Sequence, residues 1–258
     1  MGHIRLGFLP KTYRWKQVVE LLIEGADVSE IADASFLAIQ RSLRKIPDDP
    51  GFIIALTNIF KFIEAARSKD YLDSFEKEGY PSSKDSNLFD YLSYLRSQTD
   101  YHLEIEKVKS DLSELVQNSF SETILRSPAF NTPELFGGRL PTEVIKTSGL
   151  KGRALVDFMH EFYSGFVNKY LSYYLSRELP IHVGSGRVFQ NIDEHKGFSS
   201  AFDLYVRQSV RISKEFTPGW LGKAIYEKEL SYDSVSKYAH VAFKKIAGEF
   251  GREAQKID

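Results

Sequence analysis

Apolar residues recur along this chain at intervals of three and four, which places them on one face of an α-helix. Trp15, Val18, Leu22 and Ile23 show the pattern near the start. Strand-like character is confined to a short extended segment at 187–190. The pattern predicts helices over 15–23, 27–46, 52–67, 71–77, 88–103, 108–125, 150–176, 198–216 and 231–250, with an interruption at Pro218-Gly219. We therefore predict an all-α fold, an irregular multi-helix bundle.

Two of the predicted helices carry broad apolar surfaces. Residues 52–67 are apolar nearly all round, which predicts a central helix. The helix over 150–176 carries an aromatic stripe, and two interpretations of it stay open. Either the stripe packs wholly in the core, or its exposed part is an interface with another protein. Its members are Phe162, Phe166, Tyr170, Tyr173 and Tyr174.

A cluster of helix-breaking residues gives the best domain boundary in the chain. Six prolines and glycines fall between residues 127 and 150. The boundary predicts an N-terminal helical subdomain over 1–126, a Pro/Gly-rich connection over 127–150 and a C-terminal helical subdomain over 151–258. One continuous helical core is the alternative.

Composition excludes several classes of protein. The chain has 258 residues, is 42% hydrophobic and contains no cysteine. The absence of cysteine excludes disulfides, thiolate metal sites and cysteine nucleophiles, and it fits a reducing, cytoplasmic environment. No segment reaches the roughly 18–20 apolar residues of a membrane span. We therefore expect a cytoplasmic protein with no membrane partner.

The net charge of −1 conceals a segregation of charge along the chain. Residues 47–138 hold nine lysines and arginines against sixteen aspartates and glutamates, which gives −7. Residues 139–258 hold eighteen against fourteen, which gives +4. Segregated charge indicates faces used for docking, although it also fits an uneven surface with no such role.

One loop region concentrates chemically useful residues between two predicted helices. Backbone N–H groups around its glycines and the guanidinium groups of its arginines are suited to binding an anion or a charged partner. The alternative is a turn whose Arg177 and Glu178 pair with each other. The candidates are Arg177, Glu178, His182, Gly184, Gly186 and Arg187.

Basic residues near aromatic rings give a candidate nucleic-acid surface. Cations can bind phosphates while an aromatic ring such as Trp220 stacks on a base. The alternative is a solvated basic face, with Trp220 as a core anchor. The candidates are Arg5, Lys11, Arg14 and Lys16 in the N-terminal arm, and Arg207, Arg211, Lys214, Trp220 and Lys223 in the C-terminal half.

Recognised catalytic and metal-binding motifs are missing from the sequence. His160-Glu161 resembles the start of a zinc-protease helix motif, but Ser164 occupies the position of the second ligand. The segment 25–32 resembles the opening of a helix-turn-helix, yet one continuous helix explains its apolar spacing better. We therefore predict no metal, no cofactor and no catalytic residue.

Two groups of short motifs resemble a family of uncharacterised helical bacterial proteins. The resemblance implies a helical fold and a setting in multi-gene operons of the anti-phage defence type, but it assigns no reaction. The first group is Ile4-Arg5-Leu6-Gly7, Leu9-Pro10, Trp15 and Val18-Val19. The second is Arg177-Glu178-Leu179-Pro180, His182-Val183-Gly184, Gly186-Arg187, Phe189, Glu215-Phe216, Gly219-Trp220 and Lys223.

Three functional hypotheses follow. The first is a non-enzymatic helical subunit of a bacterial multiprotein assembly that acts through contacts with other protein subunits, in a defence system as the resemblance implies. The second is a nucleic-acid-binding component that uses the N-terminal arm and the Arg207, Arg211 and Lys214 face. The third is an enzyme with a new kind of site in the loop 177–196.

Overall fold

The computed structural model describes residues 13–81, 86, 88–127, 150, 152–175, 183–184 and 189–253. Within these ranges the all-α prediction is confirmed, and none of the helices is both long and apolar enough to cross a membrane. Turns of 3-10 helix at Ile46–Asp48 and Val210–Ile212 connect neighbouring helices. The α-helices are α1 (Tyr13–Glu24), α2 (Val28–Arg44), α3 (Pro50–Arg67), α4 (Tyr71–Lys77), α5 (Leu88–Ile105), α6 (Asp111–Arg126), α7 (Gly152–Leu175), α8 (Ile192–Ser209), α9 (Ser213–Glu227) and α10 (Tyr232–Glu253).

The bend between α1 and α2 is determined by two local signals. Gly25 adopts a φ of +72°, in the left-handed region that favours glycine. Asp27 caps α2 by accepting hydrogen bonds from the backbone N–H groups of Ser29 and Glu30, at 2.8 and 3.0 Å. The Glu30 carboxylate accepts in return from the Asp27 N–H, which completes a capping box. Because α2 then runs unbroken to Arg44, the prediction of one continuous helix here is confirmed.

The predicted break at Pro218 is wrong. Pro218 lies inside α9, and the α-helical run is instead interrupted by the 3-10 turn Val210–Ile212. Proline removes a helical hydrogen bond and would ordinarily disrupt the helix. Here packing on both sides opposes that tendency: Tyr238 donates a 2.8 Å hydrogen bond to Thr217, and Trp220 stacks on the Tyr238 ring. Tertiary contacts therefore override the local preference.

Helix α8 begins six residues before its predicted start at Phe198. Asn191 caps it by accepting from the backbone N–H groups of Asp193 and Glu194, at 2.9 and 3.0 Å. The two carboxylates also lie in the first turn, where they interact favourably with the helix dipole. Polar residues that looked like loop are thus the capped first turn of a helix.

Helix α3 is the centre of the molecule. Fourteen of its eighteen residues are buried, which confirms the prediction of a central helix. Phe52 contacts Phe166 on α7 and Phe243 on α10, with ring centroids 5.4 and 5.5 Å apart. One buried hydrophobic cluster therefore includes residues from both predicted subdomains. The connection that defines those subdomains lies outside the described residues between 127 and 150, so the division stays a prediction.

The caps of α3 and α6 are joined directly. The Asp49 carboxylate accepts from the Phe52 N–H at 2.7 Å and from the Ser110 hydroxyl at 2.7 Å. The same Ser110 oxygen accepts from the Ser113 N–H at 3.0 Å. A Cβ at Gly51 would lie 2.2 Å from the Cβ of Ser110, so the close approach of the two helices requires glycine.

The aromatic stripe of α7 packs in the core. Phe162, Phe166, Tyr170 and Tyr174 are buried, and Tyr173 is half-buried against them. The core interpretation is therefore confirmed for the four buried members, and the interface interpretation stays a prediction for the exposed part of Tyr173. The extended piece predicted at 187–190 is represented, among the described residues, by an isolated β-bridge between Val183 and Phe189.

Candidate functional site

The predicted anion-binding or partner-binding loop lies mostly outside the described residues. Gly184 is described, with a φ of +136°, and its N–H donates to the Phe189 carbonyl at 2.8 Å. This bond closes the loop next to α8. The role proposed for the loop stays a prediction, because its other members are not described: Arg177, Glu178, His182, Gly186 and Arg187.

The basic candidates of the C-terminal half are largely engaged inside the molecule. Arg207 forms an ion pair with Glu161 of α7, and Lys214 forms one with Asp157 at 2.9 Å. Trp220 stacks on Tyr238 with ring centroids 4.1 Å apart, so it is a core anchor rather than an exposed platform for a base. Two further candidates, Arg211 and Lys223, are exposed.

The N-terminal basic arm is described only in part. Arg5 and Lys11 lie outside the described residues. Arg14 donates a hydrogen bond to the Leu37 carbonyl at 3.1 Å, which ties α1 to α2. Lys16 is exposed on α1. The described N-terminal candidates thus lie on α1, and those of the C-terminal half lie on α8, on α9 and in the 3-10 turn between them. Their role in binding nucleic acid stays a prediction.

A cleft of about 410 Å³ runs between α6, α7 and α8, and we call it the paired cleft. Its carboxylates belong to Glu122, Asp157, Glu161 and Asp203. Each has a partner on a neighbouring helix or in its own helix. Glu122 accepts from Lys169 at 2.5 Å, and Asp203 accepts from the Asn168 amide at 2.9 Å. Together with the Arg207 and Lys214 ion pairs, these bonds link α7 to α6, α8 and α9.

Electrostatics beside the paired cleft act on two groups of α7. The hydrogen bond from Lys214 holds the pKa of Asp157 below its usual range. Burial lowers the pKa of His160 to about 4, and the charges of Lys214 and Arg207 contribute to the shift. His160 is therefore neutral at pH 7.

The His160 ring is bonded within its own helix. Its Nδ1 lies 3.4 Å from the Ser164 hydroxyl, one turn further along α7, and both side chains are buried. The described residues contain no group of three or more histidine, aspartate or glutamate side chains placed to hold a metal ion. His160 is thus a buried histidine whose ring contacts the Ser164 hydroxyl of the same helix.

A second cavity of about 450 Å³ lies between α3, α5 and α10, and we call it the apolar groove. Ile54 of α3 contributes to its floor and is 8% exposed. Ile105 at the end of α5 and Tyr232 at the start of α10 form its rim, and they remain 55% and 43% exposed. Exposed apolar rims around a concave site are a feature of protein-binding surfaces.

The polar part of the groove floor is organised around Asn58. Its amide donates to the Thr99 hydroxyl at 3.1 Å and lies 3.2 Å from Nδ1 of His102. The groove thus combines apolar walls with a fixed polar floor.

The rim of the groove is acidic around Tyr232. Burial raises the pKa of this phenol, and the carboxylates of Asp49, Asp233 and Glu106 raise it further. Lys61 is the cation that lines the groove among its described residues. Next to Tyr232 the three carboxylates therefore favour a positively charged group of a ligand or partner.

The sequence alone did not identify the apolar groove. The helix predicted over 88–103 ended two residues before Ile105, and Tyr232 follows a polar loop. Their convergence depends on the packing of three helices that are distant in sequence. The sequence feature that could have indicated the groove is the pair Ile105 and Val108, two apolar residues on either side of the acidic end of α5.

Comparisons with known proteins give no further assignment. The chain matches no protein-family model, no curated protein and no solved structure.

Proposed function

We propose that this chain is a non-enzymatic helical subunit that binds a partner protein through the apolar groove. The observation that supports the proposal is the exposed pair Ile105 and Tyr232 on the rim of a cavity with an ordered polar floor. The resemblance stated above adds the expectation of a bacterial multiprotein assembly of the defence type. Cytoplasmic location and the absence of a cofactor belong to the same proposal.

The groove also suggests the chemistry of the partner. Its apolar walls suit an aliphatic or aromatic anchor residue, because buried anchors in pockets carry most of the energy of protein interfaces. The carboxylates of Asp49, Glu106 and Asp233 around Tyr232 suit lysine or arginine residues beside that anchor. We therefore propose that the occupant is an apolar segment of a partner protein flanked by basic residues.

The test compares partner capture by three forms of the tagged protein expressed in its native host. Ile105→Lys places a cation in the rim, where it repels a basic partner and leaves the C-terminal turn of α5 with a favourable charge. Val241→Lys is the matched control, since Val241 is 52% exposed on α10 and does not line the groove. Quantitative mass spectrometry measures each co-purified protein.

We expect one specific protein to co-purify with the wild type and with Val241→Lys, and to fall by about tenfold or more with Ile105→Lys. Purified components should then reproduce the difference in a direct binding measurement. An identical set of co-purified proteins for all three forms would contradict the proposal.

A further inference from the structure

A third cavity, of about 590 Å³, is surrounded by positive charge. It lies between α3, α4 and the end of α9, and we call it the cationic cleft. Four cations line it: Lys61, Arg67, Lys77 and Lys228. Two carboxylates, from Glu64 and Glu78, accompany them. The cations therefore outnumber the anions by two, although the chain as a whole is nearly neutral.

Arg67 is the unusual group in this cleft. Its Nη1 is buried and has no hydrogen-bond partner among the described residues, although the side chain lines the cavity. A buried guanidinium N–H without an acceptor is costly, and native structures rarely leave one unsatisfied. Burial also lowers the pKa of the Arg67 guanidinium. The cleft thus presents a half-buried guanidinium to which the described part of the chain supplies no acceptor at Nη1.

The carboxylates of the cleft do not form an ion pair with Arg67. The described ion pairs include none from Arg67 to Glu64 or to Glu78. Burial and the charge of Glu78 raise the pKa of Glu64 more than the nearby cations Lys61 and Lys228 lower it, so Glu64 is less readily ionised than an exposed carboxyl. An external anion with at least two oxygens would give the accessible part of this half-buried guanidinium the acceptors that these side chains do not provide.

The backbone at Lys228 adds a second observation. Lys228 ends α9 in the left-handed conformation, with a φ of +55° and a ψ of +39°. Glycine is the residue that usually occupies this position, because a side chain is strained there. Lys228 therefore places a cation in the cleft although its backbone conformation is strained for a residue with a side chain.

We propose that the cationic cleft is a binding site for a small phosphate-bearing ligand. Arg67 binds two phosphate oxygens through its planar fork of N–H groups, and Lys77 and Lys228 balance the charge of the dianion. A continuous nucleic-acid backbone suits the cleft less well, because Glu64 and Glu78 would repel its flanking phosphates. The site shares Lys61 with the apolar groove that carries the proposed function, and its other lining residues are different.

Titration calorimetry with pyrophosphate tests the proposal. The wild type is compared with Arg67→Gln, Arg67→Lys and Lys228→Gln at constant ionic strength. Lys196→Gln is the matched control, because Lys196 is exposed on α8 and does not line the cleft. Circular dichroism confirms that each variant is folded, and the exposed Lys228 supplies an informative variant if Arg67→Gln fails to fold.

We expect saturable binding of pyrophosphate to the wild type and to Lys196→Gln. Arg67→Gln should weaken it by about tenfold or more, since it removes a charge-assisted hydrogen bond. Arg67→Lys should restore only part of the affinity, because lysine lacks the planar fork. Lys228→Gln should weaken binding by about threefold, as expected for a partly screened charge.

Three results would overturn the proposal. The first is the absence of a saturable heat with pyrophosphate. The second is an equal loss of affinity in Lys196→Gln, which would indicate attraction to overall charge. The third is tight binding of a short single-stranded DNA that depends on Arg67, which would identify a nucleic-acid site instead.

Discussion

The paired cleft and the cationic cleft are both charged cavities between helices, but their charges are satisfied in different ways. In the paired cleft, Glu161 and Asp157 hold the cations Arg207 and Lys214 from neighbouring helices. In the cationic cleft, Arg67 retains a buried N–H group without a partner among the described residues. Charges that meet across helices stabilise their packing, whereas the half-buried Arg67 is available to the ligand that we propose for its cleft. The comparison predicts that removing a charged group lowers the free energy of unfolding in the paired cleft and raises it in the cationic cleft.

The largest effect we expect arises beside the paired cleft and depends on pH. The pKa of His160 is about 4 in the folded protein, against an ordinary value of 6.5, so only the unfolded chain takes up this proton between those pH values. The stability that the neutral His160 contributes to the folded protein is therefore fully present above pH 6.5 and is lost as the pH falls to 4. We expect the free energy of unfolding to fall by about 2 kcal/mol over this pH range. This is less than the full pKa shift would give, because solvent screens the partly exposed cations near His160. Urea denaturation at a series of pH values measures it.

The control for this experiment is His160→Gln, which removes the titrating group and keeps a polar side chain. The difference in unfolding free energy between the two proteins should change with pH only between 4 and 6.5. A pH dependence that is the same in both proteins would show that His160 does not titrate as the structure indicates.

An intermediate effect, of opposite sign, is expected in the cationic cleft. Arg67→Met removes a desolvated charge and keeps an unbranched side chain of good helix propensity. In phosphate-free buffer the free energy of unfolding should rise by about 1 kcal/mol, because the buried N–H group no longer lacks an acceptor. Chemical denaturation measures this change.

Arg96→Met serves as the comparison for that variant, since Arg96 is 53% exposed and lies within 3.7 Å of Glu114 on the surface. Its stability should change little or fall slightly. If Arg67→Met loses stability instead, then Arg67 contributes to the fold, and the contrast between the two clefts fails.

The smallest effect is expected at Glu161 in the paired cleft. Glu161→Gln removes the charge that holds Arg207, and both side chains are 42% exposed. The free energy of unfolding should fall by about 0.5 kcal/mol at low salt and by less at high salt, since solvent and salt screen exposed pairs. Glu20→Gln, an exposed change on α1, should have no such salt-dependent effect. If the free energy of unfolding responds to salt in the same way in both variants, the ion pair between Arg207 and Glu161 does not stabilise the fold.

Local sequence signals predicted most of the fold. Asp27 and the glycine at position 25 mark the bend between α1 and α2, and the continuous apolar character of 52–67 identifies the central helix. These signals act over a few residues, so the sequence displays them directly. The prediction failed at Pro218, where the contacts of Thr217 and Trp220 with Tyr238 keep a proline inside a helix.

The sites were less predictable than the helices. Glu161 and Arg207 are 46 positions apart, and their pairing depends on how α7 packs against α8. The basic stripe at Arg207 and Lys214 therefore suggested a surface for an external partner, while the structure gives both cations internal ones. Arg67 and Lys228 likewise meet only through packing, and neither lies in a recognisable motif.

The joined caps of α3 and α6 have a consequence for how this molecule opens. The Ser110 hydroxyl and the Asp49 carboxylate are 61 positions apart along the chain, yet each helps to cap its own helix while bonded to the other. A fluctuation that releases the first turn of α6 therefore also withdraws a bond from the cap of α3. The amide protons of Phe52 and Ser113 are consequently coupled and should become available to solvent in one cooperative event. We therefore expect the central helix and α6, which packs against it, to share a single local opening.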